Sequence, residues 1–238
     1  SHLADYQELF NRVELELGQT VSDKTTDKLL EAYKNGSATE AEKRQLEVML
    51  FQYGRYLTIA SSREDSQLPS NLQGVWNFLT NPPWASDYHM NVNLQMNYWP
   101  TYSTNLAECA LPLIDYVDSL REPGRITAKI YNGVDVGFSA HTQNTPFGWT
   151  CPGWSFDWGW SPAAVPWIIQ NCWEYYEYTG DVAFMRENIY PMLKEEAQFY
   201  DEILIEDNDG KLVSAPAYSP EHGPYTLGNT YEQSLAWQ

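Results

Sequence analysis

Apolar residues recur at helical spacing through the first sixty positions of the chain. Over residues 3–17, apolar side chains follow one another at intervals of three or four and form one stripe: Leu3, Tyr6, Phe10, Val13 and Leu17. A second segment, about 22–34, is followed by NGS, a plausible helix stop. Thr39 precedes Glu42 by three residues, which is the capping-box spacing, and a helix is predicted from there to about Ser62. This part of the chain is therefore predicted to form three helices.

Two later segments lack this periodicity and are rich in Asn, Pro, Gly and Trp. They cover residues 63–103, with helix expected only at the end, and residues 137–160. Helices are predicted around them, at about 104–131, 161–179 and 182–205, and one more begins at YEQSLAWQ. The short stretch KLVSA is the one strand candidate. Helix pairs alternating with rich loops are typical of an all-α fold built from helix hairpins, with the long loops at one end. Long irregular segments in compact domains are usually functional.

The composition narrows the class of ligand. The net charge of −18 repels phosphate backbones and anionic lipid, which argues against nucleic acid and membrane surfaces as partners. The chain also contains 10 Trp and 17 Tyr. A single Trp is more often a core residue, but so many rings beside Pro, Gly and Asn favour aromatic faces exposed in clefts, where they stack on sugar rings.

No cofactor or metal site is indicated. Cys109, Cys151 and Cys172 form an odd set without CxxC spacing, and three of the histidines lie in separate loops without metal-ligand spacing. No apolar run is long enough to predict a transmembrane helix, and SHLADYQELF has no features of a signal peptide. We expect no metal, no cofactor and no membrane insertion.

The stretch DYHMNVNLQMNYWP gathers asparagines among aromatic residues. If residues 89–93 are extended, His89, Asn91 and Asn93 share one face. Their amide groups then accept and donate hydrogen bonds, as the binding of a sugar hydroxyl or a water requires. The alternative is that these asparagines tie down the loop backbone.

Two loop carboxylates are candidates, one in the second rich segment and one in a later loop, APAYSPEHGPYTLGN. Glu221, in SPEHG beside His222, is a candidate proton donor, and this role requires a pKa raised by apolar or crowded surroundings. The alternative is an exposed loop glutamate. Asp157, in WSFDWGW, is a candidate ligand for hydroxyl groups or a helix N-cap. The tryptophans of these loops are candidate sugar contacts: Trp84, Trp158 and Trp160.

The blocks LPSNLQGVWN, NPPW, DYHMNVNLQMNYWP, CWEYYEYTGD and SPE resemble, in this order, those of glycoside hydrolase family 95. That family contains inverting α-L-fucosidases and related α-L-galactosidases. The resemblance implies that residues 1–238 are a segment of an (α/α)6 barrel catalytic domain, incomplete at its C-terminal side and without the family's N-terminal β-sandwich. It also implies an extracellular or cell-surface location on a bacterium.

The same resemblance implies roles for particular residues. Glu221 falls on the general acid, and Asn91 and Asn93 fall on the asparagines that position the attacking water together with an aspartate base. We expect that base beyond residue 238. His89 falls on a position that contacts the C5 substituent of the sugar, and fucose-cleaving members have His there. The loop AHTQNTPFGWTCPGWSFDWGW departs from the HHNTD type found in many members.

The leading hypothesis is therefore an inverting exo-α-L-fucosidase whose partner is a fucosylated oligosaccharide. An α-L-galactosidase of the same family, a noncatalytic glycan-binding helical domain and a purely structural helical scaffold are the alternatives. The sequence leaves the oligomeric state open.

Overall fold

The segments with helical periodicity are helices in the computed structural model, which describes residues 1–153 and 155–238. The predicted all-α class is confirmed at this level, because the fold is mostly helical with a small share of strand. The helices are α1 (His2–Phe10), α2 (Thr26–Asn35), α3 (Glu40–Ser61), α4 (Asn93–Ser103), α5 (Leu111–Ser119), α6 (Arg121–Thr127), α7 (Phe156–Gly159), α8 (Ala164–Thr179), α9 (Val182–Phe184), α10 (Tyr190–Ile203) and α11 (Thr230–Trp237).

The first helix is shorter than its apolar stripe predicts. It ends at Phe10, not near residue 17. Arg55 of α3, which is buried, donates to the main-chain carbonyls of Leu9 at 3.1 Å and Phe10 at 2.7 Å. In a longer helix these two oxygens would accept from residues 13 and 14. The arginine thus takes the acceptors that the next helical turn needs, and Val13 packs from a non-helical segment.

The third helix begins where the capping box predicts. The Thr39 hydroxyl accepts from the main-chain N–H of Glu42 at 3.2 Å, and the Glu42 carboxylate accepts from the main-chain N–H of Thr39 at 3.0 Å. Two N–H groups that the helix leaves without partners are therefore satisfied.

The main core lies where α4, α5, α8 and the helical segment before α10 meet. Helix α4 also packs on α3, so it connects the N-terminal helices to the rest of the fold. Buried apolar side chains from these elements form one cluster, including Leu94, Tyr98, Leu113, Ile114, Ile168 and Met192. The predicted helix at 104–131 is made of a 3-10 turn, α5, α6 and a π-helical turn in succession.

The long loops contain more strand than KLVSA alone predicts, and that expectation was wrong. The strands form three antiparallel pairs: β1 (Tyr88–His89) with β2 (Gln143–Asn144), β3 (Ile205–Glu206) with β4 (Leu212–Val213), and β5 (Ala217–Ser219) with β6 (His222–Thr226). Only β4 lies in KLVSA. The strands of two or three residues are too short for an alternation that a sequence pattern could reveal, and the five-residue β6 is exposed along most of its length, so it has no buried face to alternate with.

One face of the N-terminal helices is apolar and uncovered. A groove of about 840 Å³ runs between α1, α2 and α3, and its lining includes Tyr6, Phe10, Leu30, Tyr33, Tyr53 and Tyr56. Within the described ranges, no helix combines the length and the hydropathy needed to cross a bilayer.

The capping box gives a test of the N-terminal fold. The change Thr39→Ala removes the hydroxyl that caps α3, and we expect it to lower the free energy of unfolding by about 1 kcal/mol. Urea denaturation measures this change. Thr20→Ala is the matched control, because Thr20 is exposed and lies outside the helices. Equal stability of the two variants would contradict the capping role.

Candidate active site

The two rich loops meet at the short β1–β2 ladder. Tyr88 pairs with Asn144 and His89 pairs with Gln143, in antiparallel register. The main-chain N–H of Met90 extends the ladder by donating to the carbonyl of Thr142 at 2.7 Å. The segment that carries His89 is thereby fixed against the loop that carries the WSFDWGW aromatics.

The chain is extended at His89 but not as far as Asn93, so the condition under which His89, Asn91 and Asn93 would share one face is not met. Residues 90–92 form a turn, and Asn93 is the first residue of α4. Met90 and Leu94 are both buried in the core, and Gln95 donates from its side chain to the carbonyl of Met90 at 2.8 Å. The turn and the start of α4 place both of these apolar side chains in the core. A strand would also have placed them on one face, together with Val92.

The turn leaves the two asparagines in different environments. Asn91 is half-buried and contacts another loop, whereas Asn93 is exposed at the start of α4. The third asparagine, Asn97, donates to the main-chain carbonyl of Asn71 at 3.2 Å. That contact matches the alternative in which an asparagine ties down loop backbone.

Asn91 and Glu221 are brought together although 130 positions separate them. The Asn91 side-chain amide donates from Nδ2 to Oε1 of Glu221 at 3.1 Å. Glu221 lies with Pro220 in the tight turn between β5 and β6. It is exposed, as in the alternative of an exposed loop glutamate, and not in the apolar or crowded surroundings that the acid role requires. His222 is exposed on β6, across from Ser219. A carboxyl group and an amide that belong to separate loops are therefore in direct contact.

His89 has a buried partner that the sequence analysis missed. Its Nδ1 lies 3.0 Å and 3.2 Å from the two carboxylate oxygens of Asp87. Both residues are largely buried, with 7% of His89 and 8% of Asp87 exposed. The signal was the spacing Asp-x-His next to a strand, because positions two apart in extended chain share a face.

The tryptophans predicted to contact a sugar differ in their exposure to solvent. Trp84 is 61% exposed and Trp158 is 52% exposed, so both rings are open to a ligand. Trp160 is only 8% exposed, stacks on Phe156 with ring centroids 5.1 Å apart, and donates from its indole N–H to the carbonyl of Pro216 at 3.2 Å. Its observed role is packing, and a sugar contact by Trp84 or Trp158 stays a prediction.

Asp157 connects α7 to the hairpin that carries Glu221. Its carboxylate accepts from the hydroxyl of Tyr225, on β6, at 2.5 Å. This hydrogen bond raises the pKa of the Tyr225 hydroxyl, because the phenol donates it. The N-cap interpretation of Asp157 is wrong: Ser155 occupies the N-cap position of α7, and Asp157 lies within the helix.

A buried histidine lies next to Trp160. The Nδ1 atom of His141 accepts from the main-chain N–H of Ser161 at 3.0 Å, and its ring centroid lies 4.8 Å from that of Trp160. Complete burial lowers the pKa of His141 to about 3, so the ring is neutral at ordinary pH. Among residues 1–153 and 155–238, no three His, Cys, Asp or Glu side chains cluster as metal ligands would.

Comparison with known proteins gives one family over the whole chain. The sequence model described as "Glycosyl hydrolase family 95 catalytic domain" matches residues 1–238. The chain is 40% identical over 248 aligned residues to a "Probable alpha-fucosidase A" of Aspergillus niger, covering 100% of this chain and 30% of that protein. It is 39% identical over 223 residues to "Alpha-L-fucosidase 2" of Arabidopsis thaliana, covering 93% of this chain and 26% of that protein. The chain thus spans less than a third of the length of these curated relatives.

Burial of His141 predicts a specific dependence of stability on pH. Unfolding restores the ordinary histidine pKa of about 6.5, so the unfolded chain binds one more proton than the folded chain between that pH and about 3. The contribution of the neutral ring is complete above pH 6.5 and is lost as the pH falls.

We therefore expect the free energy of unfolding of the wild type to fall toward that of His141→Gln between pH 6.5 and pH 4. Chemical denaturation across this range measures the difference, and His2→Gln, at an exposed position, serves as the control. A difference between wild type and His141→Gln that stays constant with pH would show that the ring is not kept neutral by burial.

Proposed function

The chain belongs to glycosyl hydrolase family 95, and we propose that it carries the general acid and the water-positioning amides of an inverting exo-α-L-fucosidase. The hydrogen bond between Asn91 and Glu221 is the observation that carries the proposal. It joins the two loops whose residues fall on the family's acid and water-binding positions. An asparagine that only ties down the loop backbone would not need to contact the Glu221 side chain.

In the proposed reaction, the protonated carboxyl group of Glu221 donates its proton to the glycosidic oxygen as the bond from that oxygen to the anomeric carbon breaks. A water attacks the anomeric carbon from the opposite face and gives its proton to a base. The product is β-L-fucose, with inverted configuration. The base is the aspartate that the family resemblance implies.

The contact between Asn91 and Glu221 is compatible with separate roles for the acid and the water-binding amide. Because the Asn91 amide donates to Glu221 through Nδ2, its Oδ1 remains able to accept a hydrogen bond from the attacking water. Asn93, exposed two positions further along at the start of α4, is the proposed second amide. Inverting enzymes keep their two carboxyl groups about 6.5–9.5 Å apart to leave room for this water. An uncharged amide fills part of that gap without adding a carboxylate.

We place the chain in an (α/α)6 barrel, with the loops of Asn91, Asp157 and Glu221 at one end. The succession of packed helices and the position of the long loops between them support this arrangement. The uncovered apolar face of α1, α2 and α3 also suits it, because a closed ring of helices would cover such a face.

The proposed substrate is a terminal α-L-fucose on an oligosaccharide. The names of the A. niger and A. thaliana relatives favour fucose over L-galactose. His89 favours the same sugar, because the family resemblance implies histidine at this position in fucose-cleaving members. The exposed rings of Trp84 and Trp158 are the candidates to stack on the sugar or on the residue that bears it. We also propose that the protein acts outside the cell or at its surface.

Replacing the proposed acid tests the mechanism. In the full-length protein, Glu221→Gln should lower kcat roughly 10²–10⁴-fold on a natural oligosaccharide, because the leaving oxygen is then expelled without a proton. The loss should be much smaller on a fucosyl fluoride, whose leaving group needs little protonation. Glu206→Gln changes another exposed glutamate and is the matched control. Near-normal rates of Glu221→Gln on both substrates would remove Glu221 from this role.

The stereochemistry of the product tests the reaction class. Proton NMR of a fucosylated oligosaccharide, followed from the first minutes, should show β-fucose before mutarotation produces the α anomer. Early α-fucose would contradict an inverting mechanism. Intact substrate with broadened fucose signals would instead indicate a noncatalytic glycan-binding protein.

A further inference from the structure

We propose that Asp87 is a positioning residue that orients the His89 ring, so that Nε2 accepts a hydrogen bond from a hydroxyl group of the sugar. This inference rests on the proposed function and deepens it. The family resemblance assigned a role to His89, but it gave none to Asp87.

The first support is the geometry of the pair. Both carboxylate oxygens of Asp87 lie within hydrogen-bond distance of Nδ1 of His89, at 3.0 and 3.2 Å, and both side chains are largely shielded from water. In the described part of the chain, the other ring nitrogen has no hydrogen-bond partner. The ring also lies two positions before Asn91, whose amide contacts Glu221. It is therefore close in sequence to the centre of the proposed site, with one nitrogen held by Asp87.

Main-chain hydrogen bonds also anchor Asp87. Its N–H donates to the carbonyl of Trp84 at 3.1 Å, and its carbonyl accepts from the N–H of Leu72 at 3.2 Å. The strand β1 begins at the next residue and is fixed by its pairing with β2. The carboxylate thus projects from backbone that is anchored on both sides.

The turn before Asp87 is an independent support. Trp84, Ala85 and Ser86 have φ values of 48°, 55° and 52°, so three successive residues with side chains are left-handed. Each such residue costs roughly 1–2 kcal/mol. Strain of this kind persists only where the surroundings enforce it, and it clusters at functional sites. Here the left-handed residues lie immediately before Asp87, and the first of them carries the exposed Trp84 ring.

The chemistry of the pair decides what His89 offers. An ionised carboxylate can only accept hydrogen bonds, so the neutral ring must carry its proton on Nδ1. Its Nε2 then has a free lone pair, which suits a sugar hydroxyl as donor. The aspartate of the Ser-His-Asp triad fixes a histidine tautomer in the same way. Asp87 itself touches no substrate in this proposal.

A double-mutant cycle in the full-length protein tests the inference. We expect Asp87→Asn to lower kcat/KM on a fucoside roughly 10- to 100-fold, because an amide also permits the wrong tautomer and weakens the hydrogen bond to His89. The change should appear mainly in KM, since a hydroxyl contact is made in the ground state and in the transition state alike. In a His89→Ala background, Asp87→Asn should change kcat/KM less than about twofold, because the residue through which it acts is gone.

A purely structural role gives a different pattern. Loss of folded protein would lower kcat per total enzyme, leave KM unchanged, and persist in the His89→Ala background. Glu42→Gln is the matched control, because Glu42 is as buried as Asp87, with 8% exposed, but belongs to the α3 capping box. We expect it to lower the melting temperature and to leave KM unchanged.

The outcomes separate the inference from the proposed function. If the wild type cleaves fucosides but Asp87→Asn acts equally with and without His89, the positioning role is overturned and the fucosidase assignment stands. If the wild type binds L-fucose without cleaving fucosides, the cycle is measured on the Kd for L-fucose by calorimetry, with the same expected coupling. Wild-type protein that neither cleaves nor binds would overturn both.

Discussion

The short ladder between β1 and β2 is the constraint on which the site depends. Two long loops carry His89, Asn91 and Asp157, and loop backbone that is shielded from water needs partners that no helix supplies. The ladder joins the loops backbone to backbone, and the Met90–Thr142 hydrogen bond extends it to the edge of the turn. From there the chain enters α4, whose Leu94 is anchored in the main core. The position of Asn91 is therefore fixed by a strand on one side and a helix on the other.

The aromatic residues have two functions, and burial separates them. Phe156 packs against Trp160, Tyr218 and Tyr225, so α7 and the β5–β6 hairpin are held together by rings. The Tyr225–Asp157 hydrogen bond supports the same contact. This packing determines where the hairpin turn, and with it Glu221, can lie. Much of the aromatic content therefore builds the site, while exposed rings such as Trp84 remain for a ligand.

How far the sequence predicts the fold depends on the range of the interactions involved. The start of α3 was predictable because its capping box lies within four residues. The end of α1 was not, because the carbonyl acceptors it needs are taken by Arg55, more than forty positions away. The same holds for β1 and β2, whose two-residue strands exist only as a pair.

The candidate site shows the same limit. The residue types of Asn91 and Glu221 were evident in the sequence, and the family resemblance supplied their roles, but only the fold shows that they touch. The chain turns after His89 and enters α4, and the local pattern of alternating residues gave no sign of this turn. Asp87 was missed although its spacing from His89 was visible, since the pairing depends on both side chains being shielded.

The chemistry of the contact shows how an amide suits the position beside Glu221 in so acidic a protein. The chain has 32 Asp and Glu residues and a net charge of −18, yet the side chain observed against Glu221 is a neutral asparagine. A second carboxylate at that distance would repel the ionised form of the first and compete with it for the proton. An amide avoids this repulsion and still offers both a donor and an acceptor. In the proposed function, Asn91 therefore offers a donor and an acceptor beside Glu221 without adding a negative charge.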